Sequence, residues 1–212
     1  IDEVRVYNRA LTAEEVGKLY NYGQDKVNVT PTTRATDGLI GHWTFDGADM
    51  YWPTNGAMDR SGSNNTGTLY NMSTSSSPTP GVLGQALKFD GADSKVGVPA
   101  AASLNDLSAL TVSAWIYPKS YGENTSGYII SKEFNLDDGW WFNLSGGYTS
   151  LKFYVTYDGA SSLDAISSSD FKSSDLNQWS HVVVAWNGTN LASGVTFYKN
   201  GVALSHFLVA ET

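Results

Sequence analysis

The acidic side chains of this chain are too scattered to cleave a glycosidic bond by the usual paired-carboxyl route. Retaining hydrolysis needs an acid and a nucleophile about 5–5.5 Å apart, a spacing that alternate positions on one strand face supply. Glu3, Glu14, Glu15, Glu123, Glu133 and Glu211 never stand in that relation. Asp137 and Asp138 are adjacent, so on a strand they would point to opposite faces. His42 and His181 fall inside alternating runs and His206 lies near the end, with no nucleophile elbow to go with them. All three are expected to be strand histidines with a satisfied ring nitrogen. No catalytic residue is assigned.

Recognition chemistry is better supplied. A sugar needs a flat aromatic surface for its apolar side and nearby amide or carboxylate groups for its hydroxyls. Trp140 and Trp141 follow a polar loop, and neighbouring strand residues face opposite ways, so one is expected to be buried while the other meets solvent. With Tyr121, Asn124, Asp137 and Asp138 they form the candidate carbohydrate site. Tyr51 and Trp52 make a second, poorer one.

Composition narrows the partners. A formal net charge of −8 and a pI near 4.7 repel a phosphate backbone, so nucleic acid is excluded as a partner. With no cysteine, there is no disulfide, thiolate metal site or cysteine nucleophile. The apolar runs fall far short of the roughly 18 residues of a membrane span. Since the chain opens on Ile1, it is expected to be a piece of a longer protein.

Short alternating segments must position these groups. Leu87 and Phe89, Val96 and Val98, and Val112, Ala114 and Ile116 each mark a period-2 run broken by turn residues such as Asp90-Gly91. Thr66–Tyr70, Tyr128–Ser131, Trp140–Leu144 and Leu151–Tyr157 read as further strands, and Asn200-Gly201 between two such runs signals a type I′ hairpin. One helix interrupts the pattern. Thr12 is its N-cap, Glu15 completes a capping box, Leu11 and Val16 are placed as a hydrophobic staple, and Gly23 is its expected stop.

The run Gly84-Gln-Ala-Leu-Lys-Phe-Asp-Gly-Ala-Asp-Ser-Lys-Val-Gly-Val-Pro99, followed by Leu110-Thr-Val-Ser-Ala-Trp-Ile-Tyr-Pro118, resembles the laminin-G-like, concanavalin-A-like family. Gln178-Trp-Ser-His-Val-Val-Val-Ala-Trp186 and Val195-Thr-Phe-Tyr-Lys-Asn-Gly-Val-Ala203 extend the resemblance, and Gly38-Leu-Ile-Gly-His-Trp-Thr-Phe-Asp-Gly47 looks like the family's opening strand. It implies an all-β fold, a jelly-roll sandwich of two antiparallel sheets with one short N-terminal helix. Residues 1–22, Ile-Asp-Glu-Val-Arg-Val-Tyr onward, look like the family's closing strand and helix. They stand at the opposite end of the chain from where the family places them.

Two accounts are open. Residues 1–22 are the tail of a preceding copy, 23–37 a linker and 38–212 a second copy lacking its own closing strand, or 1–22 are a circularly permuted closing strand. A body without that strand invites strand-swapped or tandem self-association.

The resemblance also implies one structural calcium ion, held by hard oxygen ligands at strand ends, with Asp46, Asp90, Asp59 and Asp2 as candidates. It points to a non-catalytic, extracellular or cell-surface module binding a glycan in adhesion. The alternatives are a structural or protein-binding repeat of a surface adhesin or filament, and an accessory domain of a glycoside hydrolase.

Overall fold

The computed structural model describes residues 1–24, 36–121, 126–135, 138–145, 149–157, 161–168 and 170–211. Its strands are β1 (Asp2–Tyr7), β2 (Leu39–Trp43), β3 (Met50–Tyr51), β4 (Gly56–Ala57), β5 (Gly67–Tyr70), β6 (Pro78–Pro80), β7 (Gln85–Leu87), β8 (Lys95–Gly97) and β9 (Leu110–Ile116). They continue with β10 (Ser126–Asn135), β11 (Asp138–Ser145), β12 (Ser150–Tyr157), β13 (Ser161–Ser167), β14 (Ser180–Trp186), β15 (Val195–Lys199), β16 (Val202–Leu204) and β17 (His206–Glu211). The helix α1 spans Ala13–Gln24.

Two large antiparallel sheets carry the fold, one ordered β16-β15-β14-β9-β1-β2 and the other β10-β11-β12-β13-β17. Alternation along each strand sends one set of side chains between the sheets. Val112, Ala114, Val182, Val184, Trp186 and Phe197 from the first meet Trp140, Phe142, Leu144, Leu151, Phe153 and Val155 from the second in one buried cluster. Phe142 stacks near Phe197 at 6.4 Å, and Phe153 lies 6.3 Å from Trp186. This is the expected β-sandwich.

The N-terminal segment completes the sandwich within the same chain. Strand β1 lies between β9 and β2, with Val6 opposite Val112 on one side and Gly41 on the other. All six of its residues are buried. Its pairing runs past its own end, since Leu87 N donates to Ile1 O at 3.0 Å and Ile1 N to Leu87 O at 2.7 Å.

Helix α1 starts as its sequence dictates. Thr12 N–H donates to Glu15 Oε2 at 2.9 Å and Glu15 N–H to Thr12 Oγ1 at 3.3 Å, the reciprocal capping box. Its apolar stripe, Leu11, Val16 and Leu19, seals a second small core with Tyr7, Val183, Ala185 and Tyr198 on the outer face of the six-stranded sheet.

One expectation fails here. Gly23 does not stop the helix, which runs on through Gln24. A Cβ at Gly23 would lie 2.5 Å from the Trp115 indole nitrogen, so glycine is required by close packing rather than by termination. The hairpin expectation holds, with positive φ at both Asn200 (52°) and Gly201 (77°) between β15 and β16.

Candidate functional site

The tryptophan doublet on β11 is split by strand alternation. Trp140 is 7 % exposed and belongs to the inter-sheet core, whereas Trp141 faces away from it. On that outer face, pairing between β10, β11, β12 and β13 sets Ser131, Trp141, Tyr154 and Asp164 in one row, and Tyr128, Asn143, Lys152 and Ile166 in the next. Trp141 and Tyr154 stack with centroids 5.2 Å apart and planes 13° apart, and Tyr128, 59 % exposed, meets Trp141 edge-on at 6.1 Å. The Lys152 ammonium lies 5.1 Å from the Trp141 ring centroid and bonds Asp164 Oδ2 at 2.9 Å.

Two acceptors in this patch are unpaired. Asn143 Oδ1 and Asp164 Oδ1 are buried, and no donor among the described residues reaches either. Lys152 is the cross-strand neighbour of Asn143 and the ion partner of Asp164, so its movement would open both. A ligand donating O–H groups over an aromatic surface is what such a patch lacks.

Only part of the carbohydrate site expected from sequence comes together here. Tyr121 packs against the inter-sheet core. Asn124, Asp137 and the side chain of Asp138 lie outside the described residues. Tyr154, Lys152, Asp164, Asn143 and Tyr128 were not singled out by the sequence. Alternation places them on outward faces, but only the inter-strand register sets them beside Trp141.

The four candidate metal ligands separate into two kinds. Asp2 and Asp46 grip the same turn between β6 and β7. Asp2 Oδ2 accepts from Val82 N at 2.8 Å and Leu83 N at 3.2 Å, and Asp46 Oδ1 accepts from Gln85 N at 2.8 Å. Gly84, with φ of +58°, would drive a Cβ into the Asp46 carboxylate. The Asp2 side chain is fully buried and its Oδ1 has no partner among the described residues. Desolvation lifts its carboxyl to about 7 against the opposing pull of the Leu83 and Val82 N–H groups.

Asp59 and Asp90 instead organise their own loops. Asp59 accepts from His42 N, Ser61 N, Ser61 Oγ and Asn65 N at 2.8–2.9 Å. Asp90 Oδ1 accepts from Ala92 N, Asp93 N, Ser94 N and Ser94 Oγ at 2.8–3.2 Å, bonds that hold the carboxyl well below the usual range. Among the described residues, no three acidic or histidine groups converge as a metal cluster. The four aspartates therefore do not form one site.

The remaining titratable groups do structural work. Glu3, at φ of +52°, accepts from Arg5 and lies 3.0 Å from His42 Nε2. Burial alone would raise its carboxyl, but the His42 hydrogen bond and the Arg5 charge outweigh it and hold the carboxyl low. His181 is buried on β14 with Nε2 2.8 Å from Ser113 Oγ, the strand histidine with a satisfied ring nitrogen that was expected, while its Nδ1 has no partner among the described residues. Glu15 pairs with Arg9 at 2.6 Å, and Glu14 with Lys18 at 2.7 Å.

Against known families, residues 90–210, more than half of the chain, match the family described as the concanavalin A-like lectin/glucanases superfamily, laminin-G type. No curated protein and no solved structure matches the chain. Among the described residues, no helix is long and apolar enough to cross a membrane.

Proposed function

Because the chain belongs to the concanavalin A-like lectin/glucanase superfamily, we propose that it is a carbohydrate-binding module whose ligand lies on the outer face of the five-stranded sheet. The observation that carries this reading is the Trp141–Tyr154 stack on that face, beside the unpaired acceptors Asn143 Oδ1 and Asp164 Oδ1. Stacking of sugar C–H groups along the aromatic surface, with hydroxyls donating to those oxygens, satisfies both. Laminin-G-like domains are typically non-catalytic and extracellular, which supports reading the module as one that serves adhesion at a cell surface.

A glycan array probed with the chain and with Trp141→Ala tests this. Binding to a defined sugar class that the substitution abolishes is expected. Equal binding by both proteins, or none by either, sinks the reading.

A protein partner is the second reading. Trp141 already carries Tyr154 against its ring and Lys152 over it, a self-packed surface suited to a flat interface. Loss of a protein contact in Trp141→Ala, with glycan binding absent throughout, would favour it.

The proposal includes a calcium ion. Asp2, whose buried Oδ1 has no partner among the described residues, and Asp46, which holds the same turn, are the residues that would hold a hard cation. Asp59 and Asp90 do not belong to this pair, since each organises its own loop through hydrogen bonds from that loop's backbone and serines. Millimolar calcium is expected to raise the melting temperature relative to EDTA, a ligand at a hundred times its Kd adding about 2.7 kcal/mol. Asp46→Ala should remove the difference, and a melting temperature unmoved by calcium in the unaltered chain refutes the site.

A further inference from the structure

On the other face of β11, Trp140 lines a cavity at one end of the sandwich, and we propose that this cavity takes the acetamido group of an N-acetylated amino sugar. The cavity encloses about 50 Å3, room for only a few atoms, and opens to solvent at its mouth. Trp186, Leu110 and Val155 supply apolar walls, while Lys132 and the exposed Asp106 also line it.

The second observation is the indole itself. Trp140 is buried, and among the described residues its Nε1–H has no acceptor. An indole nitrogen only donates, so a group that meets it in the cavity must bring an acceptor. Leaving such a donor unpaired costs about 1–3 kcal/mol.

A group that is small, carries a carbonyl oxygen and ends in a methyl meets these constraints together. Its oxygen accepts from Trp140 Nε1, its methyl lies against Leu110, Val155 and Trp186, and its amide N–H donates to Asp106. The pyranose ring stays at the mouth within reach of Lys132. A bare hydroxyl would satisfy the indole but leave the apolar walls unfilled, so glucose is a poor substitute.

The inference rests on the carbohydrate reading in one respect, that the chain takes sugars, but it uses the opposite face of β11. Titration calorimetry and saturation-transfer NMR on the whole chain, with N-acetylglucosamine, glucosamine and glucose, test it. N-acetylglucosamine should bind at least tenfold more tightly than the other two, with the strongest transfer to its acetyl methyl. Trp140→Phe, which keeps the ring and removes the donor, should weaken it about tenfold. Should Trp140→Phe fail to fold, the methyl transfer and the three-sugar ranking in the unaltered chain still decide.

Equal affinity for acetylated and non-acetylated sugars, or no effect of Trp140→Phe, overturns the acetamido pocket. If that sugar-indifferent binding also vanishes in Trp141→Ala, the outer-face reading stands while this one falls. No binding of any of the three overturns the pocket outright.

Discussion

Acid should weaken this fold through His181, by an amount that can be worked out. The imidazole is fully buried, 5.1 Å from the Trp115 ring and 6.1 Å from Tyr20, and among the described residues it bonds only Ser113 Oγ. Burial, reinforced by the Arg5 charge, lowers its pKa from 6.5 to about 3. Unfolded chains therefore take up a proton below pH 6.5 that the folded chain refuses until about pH 3. The stability contributed by neutral His181 is complete above pH 6.5 and is lost as pH falls through that window.

From pH 6.5 to 5 the loss is about 1.5 pH units at 1.36 kcal/mol each, about 2 kcal/mol. Urea denaturation followed by tryptophan fluorescence, on the unaltered chain and on His181→Gln at pH 7 and pH 5, isolates this. The variant loses packing against Trp115 at both pH values, and the carboxylates titrate in both proteins alike. The stability gap between the two should therefore narrow by about 2 kcal/mol on acidification. A gap that stays constant would show that His181 is protonated in the folded chain, and the argument from burial would fail.

Two glycines in one helix should respond in opposite directions. Gly23→Ala forces a Cβ into the Trp115 indole, and overpacking of about 1–3 kcal/mol outweighs the roughly 1 kcal/mol gained in helix propensity. Gly17→Ala meets nothing within 4 Å and should stabilise by up to about 1 kcal/mol; thermal melts of the two variants check both signs. Deleting residues 1–24 strips β9 and β2 of their shared partner and uncovers Val183, Ala185 and Tyr198. The shortened chain is expected to aggregate without a cooperative melt, and a monodisperse, cooperatively melting monomer on size-exclusion chromatography would contradict the role given to β1.

Much of the local structure was legible because its causes are local. Alternation in Leu110–Ile116, Trp140–Leu144 and Leu151–Tyr157 marked β9, β11 and β12, and Thr12 with Glu15 marked the start of α1. Strand β13 escaped notice, since Ser161-Ser-Leu-Asp-Ala-Ile-Ser167 places only three apolar residues among polar ones. It is a strand because β12 and β17 pair with it on either side. Asp59 and Asp90 looked like metal ligands for the reason that also makes them good turn residues. A carboxylate at a strand end suits a cation and a row of backbone N–H groups equally well.

The sequence by itself determined the strand periods, the capped helix, the asparagine-glycine hairpin and the opposite orientation of Trp140 and Trp141. Each of these follows from side-chain geometry within a few residues. Only the tertiary structure decided that β1 sits between β2 and β9, that Gly23 must clear the Trp115 indole, and that Tyr154, Lys152 and Asp164 gather around Trp141. Those outcomes depend on which strands become neighbours and in what register. Contacts between residues 100 or more positions apart, such as Leu11 N–H with Thr111 Oγ1 at 2.9 Å, set that choice, and no local pattern encodes it.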